Sequence, residues 1–120
     1  MATPIDIADL LTWSFRDQAV ETAAAAHPDA VTVYWAVLAL PAPHANAVSR
    51  FARAGHRPDW QPAGGPVVSL AEVRASRRAY TDWVRAMVVL QRTLDGTLTA
   101  FRVTGPSFEQ EPWRRVRRRA

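Results

Sequence analysis

The sequence predicts a mainly α domain of about four helices with a short C-terminal β-strand or hairpin. Three observations carry that expectation: an apolar series at heptad spacing over 73–94, capping residues ahead of apolar-periodic stretches, and an isolated run of β-formers over 97–104. The alternative is an α+β fold in which residues 31–38 form a strand.

Asp6 stands before a periodic stretch and can cap a first helix from about Ile7 to Ala26. On a 3.6-residue wheel Ile7, Leu11, Phe15, Ala19 and Thr22 share the face expected to point inward, with Gln18 on the same arc. Trp13, Leu10 and Val20 fall on the other side among Asp6, Asp9 and Asp17, which predicts a large aromatic set in an acidic surface. His27-Pro28-Asp29 breaks the chain, and Pro28 suits the first position of a second helix. Residues 30–40 are nearly all apolar; their length and the prolines at 28 and 41 favour helix, whereas Val31, Thr32, Val33, Tyr34 and Trp35 favour strand. Helix is the reading adopted. Residues 43–54 read as a short helix with Val48 and Phe51 inward, closed by Gly55. After a Pro- and Gly-rich loop over 55–68, Ser69 and Glu72 form a capping box for a long helix to Leu94. Its inward series is Val73, Ser76, Tyr80, Trp83, Met87, Leu90 and Leu94, and Asp95-Gly96 ends it. The strand over 97–104 then needs a partner: residues 66–68, residues 31–38, or a second chain.

Apolar residues make up 48% of the chain and charged residues 22%, so a packed core is feasible and disorder is not expected. The 120 residues are read as one domain over 1–113 and a basic flexible tail over 114–120. Cysteine is absent, which excludes disulfides and thiolate chemistry. The net charge of +4 belongs to the tail: residues 1–113 hold ten arginines against eleven acids, whereas the last seven hold five arginines and no acid. All fifteen cations are arginine, which suits bidentate phosphate or carboxylate contacts and equally suits a GC-rich coding bias, the reading preferred here. The first residues have no basic region followed by an apolar stretch, and the apolar run at 30–40 is too short to span a bilayer. A cytoplasmic location without membrane contact is expected.

No constellation points to catalysis, a metal or a cofactor. His27, His44 and His56 are isolated from one another, Gly64-Gly65-Pro66 lacks the continuation of a phosphate loop, and no serine stands in a nucleophile elbow. Asp17 and Glu21, at i and i+4, read as a solvated face rather than an acid/base pair. The most distinctive string is 55–60, where Arg57 and Asp59 are expected to pair and Trp60 to cover the core edge; as a loop it can also present all three to a partner. Arg74, Arg78, Arg85 and Arg92 form a stripe about 40° wide and about 27 Å long on the long helix, able to follow a phosphate backbone, with Asp82 placed to neutralise Arg78 or Arg85. Arg114, Arg115, Arg117, Arg118 and Arg119 add a non-specific phosphate-binding tail behind Trp113, which can anchor the end of the fold.

Residues 46–60, together with Tyr80-Thr81-Asp82-Trp83 and Pro112-Trp113, resemble small uncharacterised prophage-type accessory proteins of GC-rich bacteria. The resemblance covers about a third of the chain. It implies a phage accessory role, a class that includes inhibitors of host defence such as anti-CRISPR proteins, and it transfers no functional residue. The expected function is non-enzymatic binding to a host or phage protein or nucleoprotein complex. Trp13, Asp6, Asp9, Asp17, Arg57, Asp59 and Trp60 are its candidate contacts, and a homodimer is kept open. The alternative is a nucleic-acid-binding accessory protein that uses the arginine stripe and tail.

Overall fold

A computed structural model describes residues 2–60, 69–109 and 111–113. The elements in chain order are β1 (Thr3–Asp6), α1 (Ile7–Thr12) continued by a π-turn over Trp13–Asp17, α2 (Pro28–Leu38), α3 (Ala42–Ala54), α4 (Leu70–Leu94) and β2 (Phe101–Thr104). The fold is mainly α with a two-stranded parallel sheet. Tail residues 114–120 lie outside the described residues, as do Gly64, Gly65 and the strand candidate 66–68.

The long helix α4 forms as its sequence requires. Ser69 Oγ accepts from the Glu72 amide at 3.1 Å while Glu72 Oε2 accepts from the Ser69 amide at 3.2 Å, so two otherwise orphan donors are satisfied. Its buried residues are Tyr80, Trp83, Val84, Ala86, Met87, Leu90 and Leu94, while Val73 and Ser76, at the N-terminal end of the series, are only half-buried. In one core with these residues lie Ile7, Leu10, Leu11 and Phe15 from α1 and its continuation, Val33 and Val37 from α2, Val48 and Ala52 from α3, and Val103 from β2. Burying each of the larger aliphatic side chains is worth about 1.5–3 kcal/mol, which makes this interior the main source of stability. Trp113 is buried too, and holds the end of the described chain to the core.

The first helix is shorter than its sequence pattern. It stops at Asp17 rather than Ala26, and Ala19 takes a left-handed conformation at φ 48°. Ser14 begins the change: buried completely, its Oγ donates back to the Leu10 carbonyl at 2.8 Å, and the Gln18 amide bonds five residues back to Trp13. The alanines at 23–26 favour helix, but tertiary contacts override them. Gln18 Oε1 accepts from the His27 amide at 3.0 Å, and Glu21 grips the Arg53 guanidinium through both oxygens at 2.8 and 3.0 Å. Ala19 and Thr22 therefore do not extend the inward face, and Thr22 is exposed.

The run at 30–40 resolves as helix through Leu38. His27 caps α2 by accepting the Asp29 amide on Nδ1 at 3.0 Å, with Pro28 at the first helical position. α3 ends at Gly55, whose φ of 76° permits the left-handed closure.

The expected C-terminal strand is confined to Phe101–Thr104, and among the described residues its partner is a segment that was not anticipated. It pairs in parallel with Thr3–Asp6, in the register Thr3 with Phe101 through Asp6 with Thr104. Four residues containing a proline give too short a pattern to announce a strand. Two carboxylates secure the pair. Asp6 caps α1 through the Ala8 amide at 3.0 Å and accepts the Ser107 amide at 3.2 Å, while Gly105, at φ 85°, leaves no room for a Cβ beside the Asp6 oxygen. Asp29, only 2% exposed, accepts the Thr99 amide and hydroxyl, each at 3.0 Å, and the Ala100 amide at 2.8 Å.

Burial pushes the Asp29 carboxyl up, but the Thr99 and Ala100 amides, the Thr99 hydroxyl and the charge of His27 outweigh it and hold the group below its ordinary value of 3.8. A depressed folded value means that this contribution to stability is complete above the ordinary carboxylate range and is lost as pH falls through the folded value. Asp29→Asn removes the charge and sets an amide NH2 against part-buried donors; equilibrium urea denaturation should show a loss of about 2–3 kcal/mol. The variant should also lack the wild type's acid-dependent loss from this site below the ordinary carboxylate range.

Candidate functional site

The side chains expected to form one acidic, aromatic contact surface on α1 are dispersed. Trp13 is half-buried, with its ring edge-on to Phe101 at 4.8 Å and to His27 at 5.3 Å, because β2 and the cap of α2 cover that side of the helix. Leu10, expected on the outer face, is completely buried for the same reason: the sheet gives α1 a second covered side. Asp6 serves as cap and turn anchor, and Asp17 meets its neighbour Arg16 at 3.2 Å. Asp17 and Glu21 do not share a helix face, because the helix has ended before Glu21 and that residue binds Arg53. Asp9 stays exposed and lines a cavity.

The 55–60 segment also departs from its expected pairing. Arg57 and Asp59 form no ion pair; the Arg57 guanidinium lies 4.6 Å from the Phe108 ring centroid, a cation–π contact. Trp60 does cover the core edge, half-buried with its ring 5.8 Å from that of Trp113. Trp113 in turn stands edge-on to Tyr80 at 6.2 Å, and Trp83 adjoins Phe108 at 5.6 Å. Burial pushes the Tyr80 phenol above its ordinary 10.0, opposed by the charge of Arg57 and assisted by that of Glu109.

Trp83 and Phe108 of this cluster wall a cleft of about 280 Å³ between α1, the end of α3 and the 55–57 turn. Leu11, Val48, Phe51, Trp83 and Phe108 give it an apolar lining, and Asp9, Thr12, His56 and Arg57 supply its polar groups. His56 and Asp9 thus line the same cavity, whereas Asp59 is not among the lining residues. The arrangement falls short of a catalytic relay: His56 Nδ1 lies 3.1 Å from the Arg57 carbonyl, and among the described residues no hydrogen bond joins Thr12, His56 and Asp9. There is likewise no cluster of three or more metal-ligating side chains among the described residues, and no described helix is long and apolar enough to cross a membrane.

The most exposed apolar face is one the sequence did not single out. Val31, Trp35 and Leu38 on α2 are 38%, 63% and 47% exposed, at spacing i, i+4, i+7. Ala30, Val33 and Val37 form the buried face of the same helix. Two apolar stripes about 130° apart look like one continuous run in sequence, so the pattern cannot say which stripe is covered. The absence of any charged residue on α2 besides buried Asp29 was the available signal.

On α4 all four stripe arginines, Arg74, Arg78, Arg85 and Arg92, are exposed on the side away from the core. Asp82 is half-buried beside a groove with Trp83 and Phe51, and forms no ion pair with Arg78 or Arg85. Compared with known protein families, curated proteins and solved structures, the chain matches none.

The two tryptophans should separate on mutation. Trp35→Ala removes little buried contact and should shift stability by no more than about 0.5 kcal/mol, whereas Trp13→Ala strips the seat of Phe101 and should cost about 2 kcal/mol, both read by chemical denaturation.

Proposed function

We infer that the protein is a small non-enzymatic binding protein that acts through protein–protein contacts, with the outer face of α2 as its principal contact. The exposure of Trp35 carries this reading. An exposed tryptophan flanked along one helix face by Val31 and Leu38 offers the i, i+4, i+7 anchors with which a helix enters an apolar groove, and tryptophan is enriched among residues that dominate binding energy. A phage-encoded inhibitor of a host defence complex would be one protein of this kind. A photo-crosslinking residue at position 35 should capture a protein partner from the native host, and Trp35→Ala should weaken binding of the purified partner about tenfold or more at unchanged protein stability. Crosslinking no stronger at position 35 than at position 78 removes the reading.

A second reading rests on the exposed arginine stripe. If Arg74, Arg78, Arg85 and Arg92 follow a phosphate backbone, duplex DNA binding should fall with salt at a log–log slope of about −3.6 from these four residues. The double variant Arg78→Ala/Arg85→Ala should reduce that slope by about 1.8. Affinity that is insensitive to salt, or a slope unchanged by the double variant, rejects it.

A further inference from the structure

We propose that the cleft between α1 and the end of α3 is a binding site for a small zwitterion with an aromatic body, of the class of the free aromatic amino acids. This site is separate from the α2 face and its occupancy does not depend on the protein-contact reading.

The volume sets the first limit. About 280 Å³ lies just below the usual range of pockets for drug-sized ligands and well above the roughly 150 Å³ that holds benzene, so the cleft has room for one bicyclic ring system. Its lining sets the second. Phe51, Trp83 and Phe108 present rings, and Leu11 and Val48, each at most 2% exposed, make a dry floor. A planar aromatic ligand can meet such walls edge-on or offset, the arrangements that ring quadrupoles favour.

The charges set the third. Asp9 and Arg57 are both exposed, line the same cleft and make no ion pair with each other or with any other described residue. A purely anionic ligand would meet Arg57 but oppose Asp9, and a purely cationic one the reverse. A ligand carrying both an ammonium and a carboxylate satisfies the two together. Arg57 is steadied from below by the Phe108 ring at 4.6 Å, and His56 from the side by its edge contact with Phe51 at 5.6 Å, so the mouth is supported before anything binds.

Calorimetric titration of the full chain with four probes tests this: L-tryptophan, L-tryptophan amide without the carboxylate, N-acetyl-L-tryptophan without the amine, and N-acetyl-L-tryptophan amide with neither charge. L-Tryptophan should bind one to one with a Kd of about 1 mM or tighter, and each blocked form about tenfold more weakly. In Arg57→Ala the advantage of L-tryptophan over its amide should vanish, and in Asp9→Asn its advantage over the N-acetyl form should vanish. Both positions are exposed, so either variant can fold. Equal binding of the doubly blocked form overturns the proposal and marks the cleft as a seat for a partner's tryptophan side chain. No heat from any probe at about tenfold above that Kd, or discrimination unchanged in both variants, overturns it outright.

Discussion

The carboxylate of Asp29 is the interaction on which the arrangement of the chain depends. It stands in the first turn of α2, where a negative charge also complements the helix dipole, and it collects three donors from Thr99 and Ala100. That fixes where the chain after α4 turns into β2. Once β2 is placed, Phe101 meets Trp13, Val103 enters the core, and Gln91 Nε2 donates to the Val103 carbonyl at 3.2 Å. A buried charge of this kind is tolerated because the donors of Thr99 and Ala100 are aimed at it, and removing the charge would leave those part-buried donors without their acceptor.

The fold was legible where a local rule and the core agreed. Ser69, Glu72 and the series from Tyr80 to Leu94 describe α4 fully, and Pro28 with Pro41 bounds α2 despite its β-branched residues. It was illegible where distant contacts decided. Nothing near Ala23–Ala26 reveals that Gln18 will hold His27 or that Glu21 will hold Arg53, so the first helix looks longer than it is. β1 is too short to be seen at all without β2. The surfaces follow the same division. Exposure of the arginine stripe could be read from its position opposite the heptad face, but the covering of Trp13 and the uncovering of Trp35 both depend on which neighbours arrive. Asp9 and Arg57 share a cleft only because α1 and α3 pack together, and no spacing in the chain announces it.

The outer surface is divided by chemical character. α2 presents an uncharged apolar stripe, α4 an arginine stripe, and the cleft a pair of opposite charges over aromatic walls. These three surfaces ask for different ligands, and the near-neutral balance of residues 1–113 is the sum of separated features rather than an even mixture.

The parallel pairing of Thr3–Asp6 with Phe101–Thr104 has a consequence for the order of assembly. These strands bracket nearly the whole chain, and joining such distant points in an unfolded coil costs about 4 kcal/mol in loop closure alone. A ladder of four residues cannot offset that by itself. The helices must compact to deliver both ends to the same place, so the seam is a clasp whose closure depends on the packing beneath it.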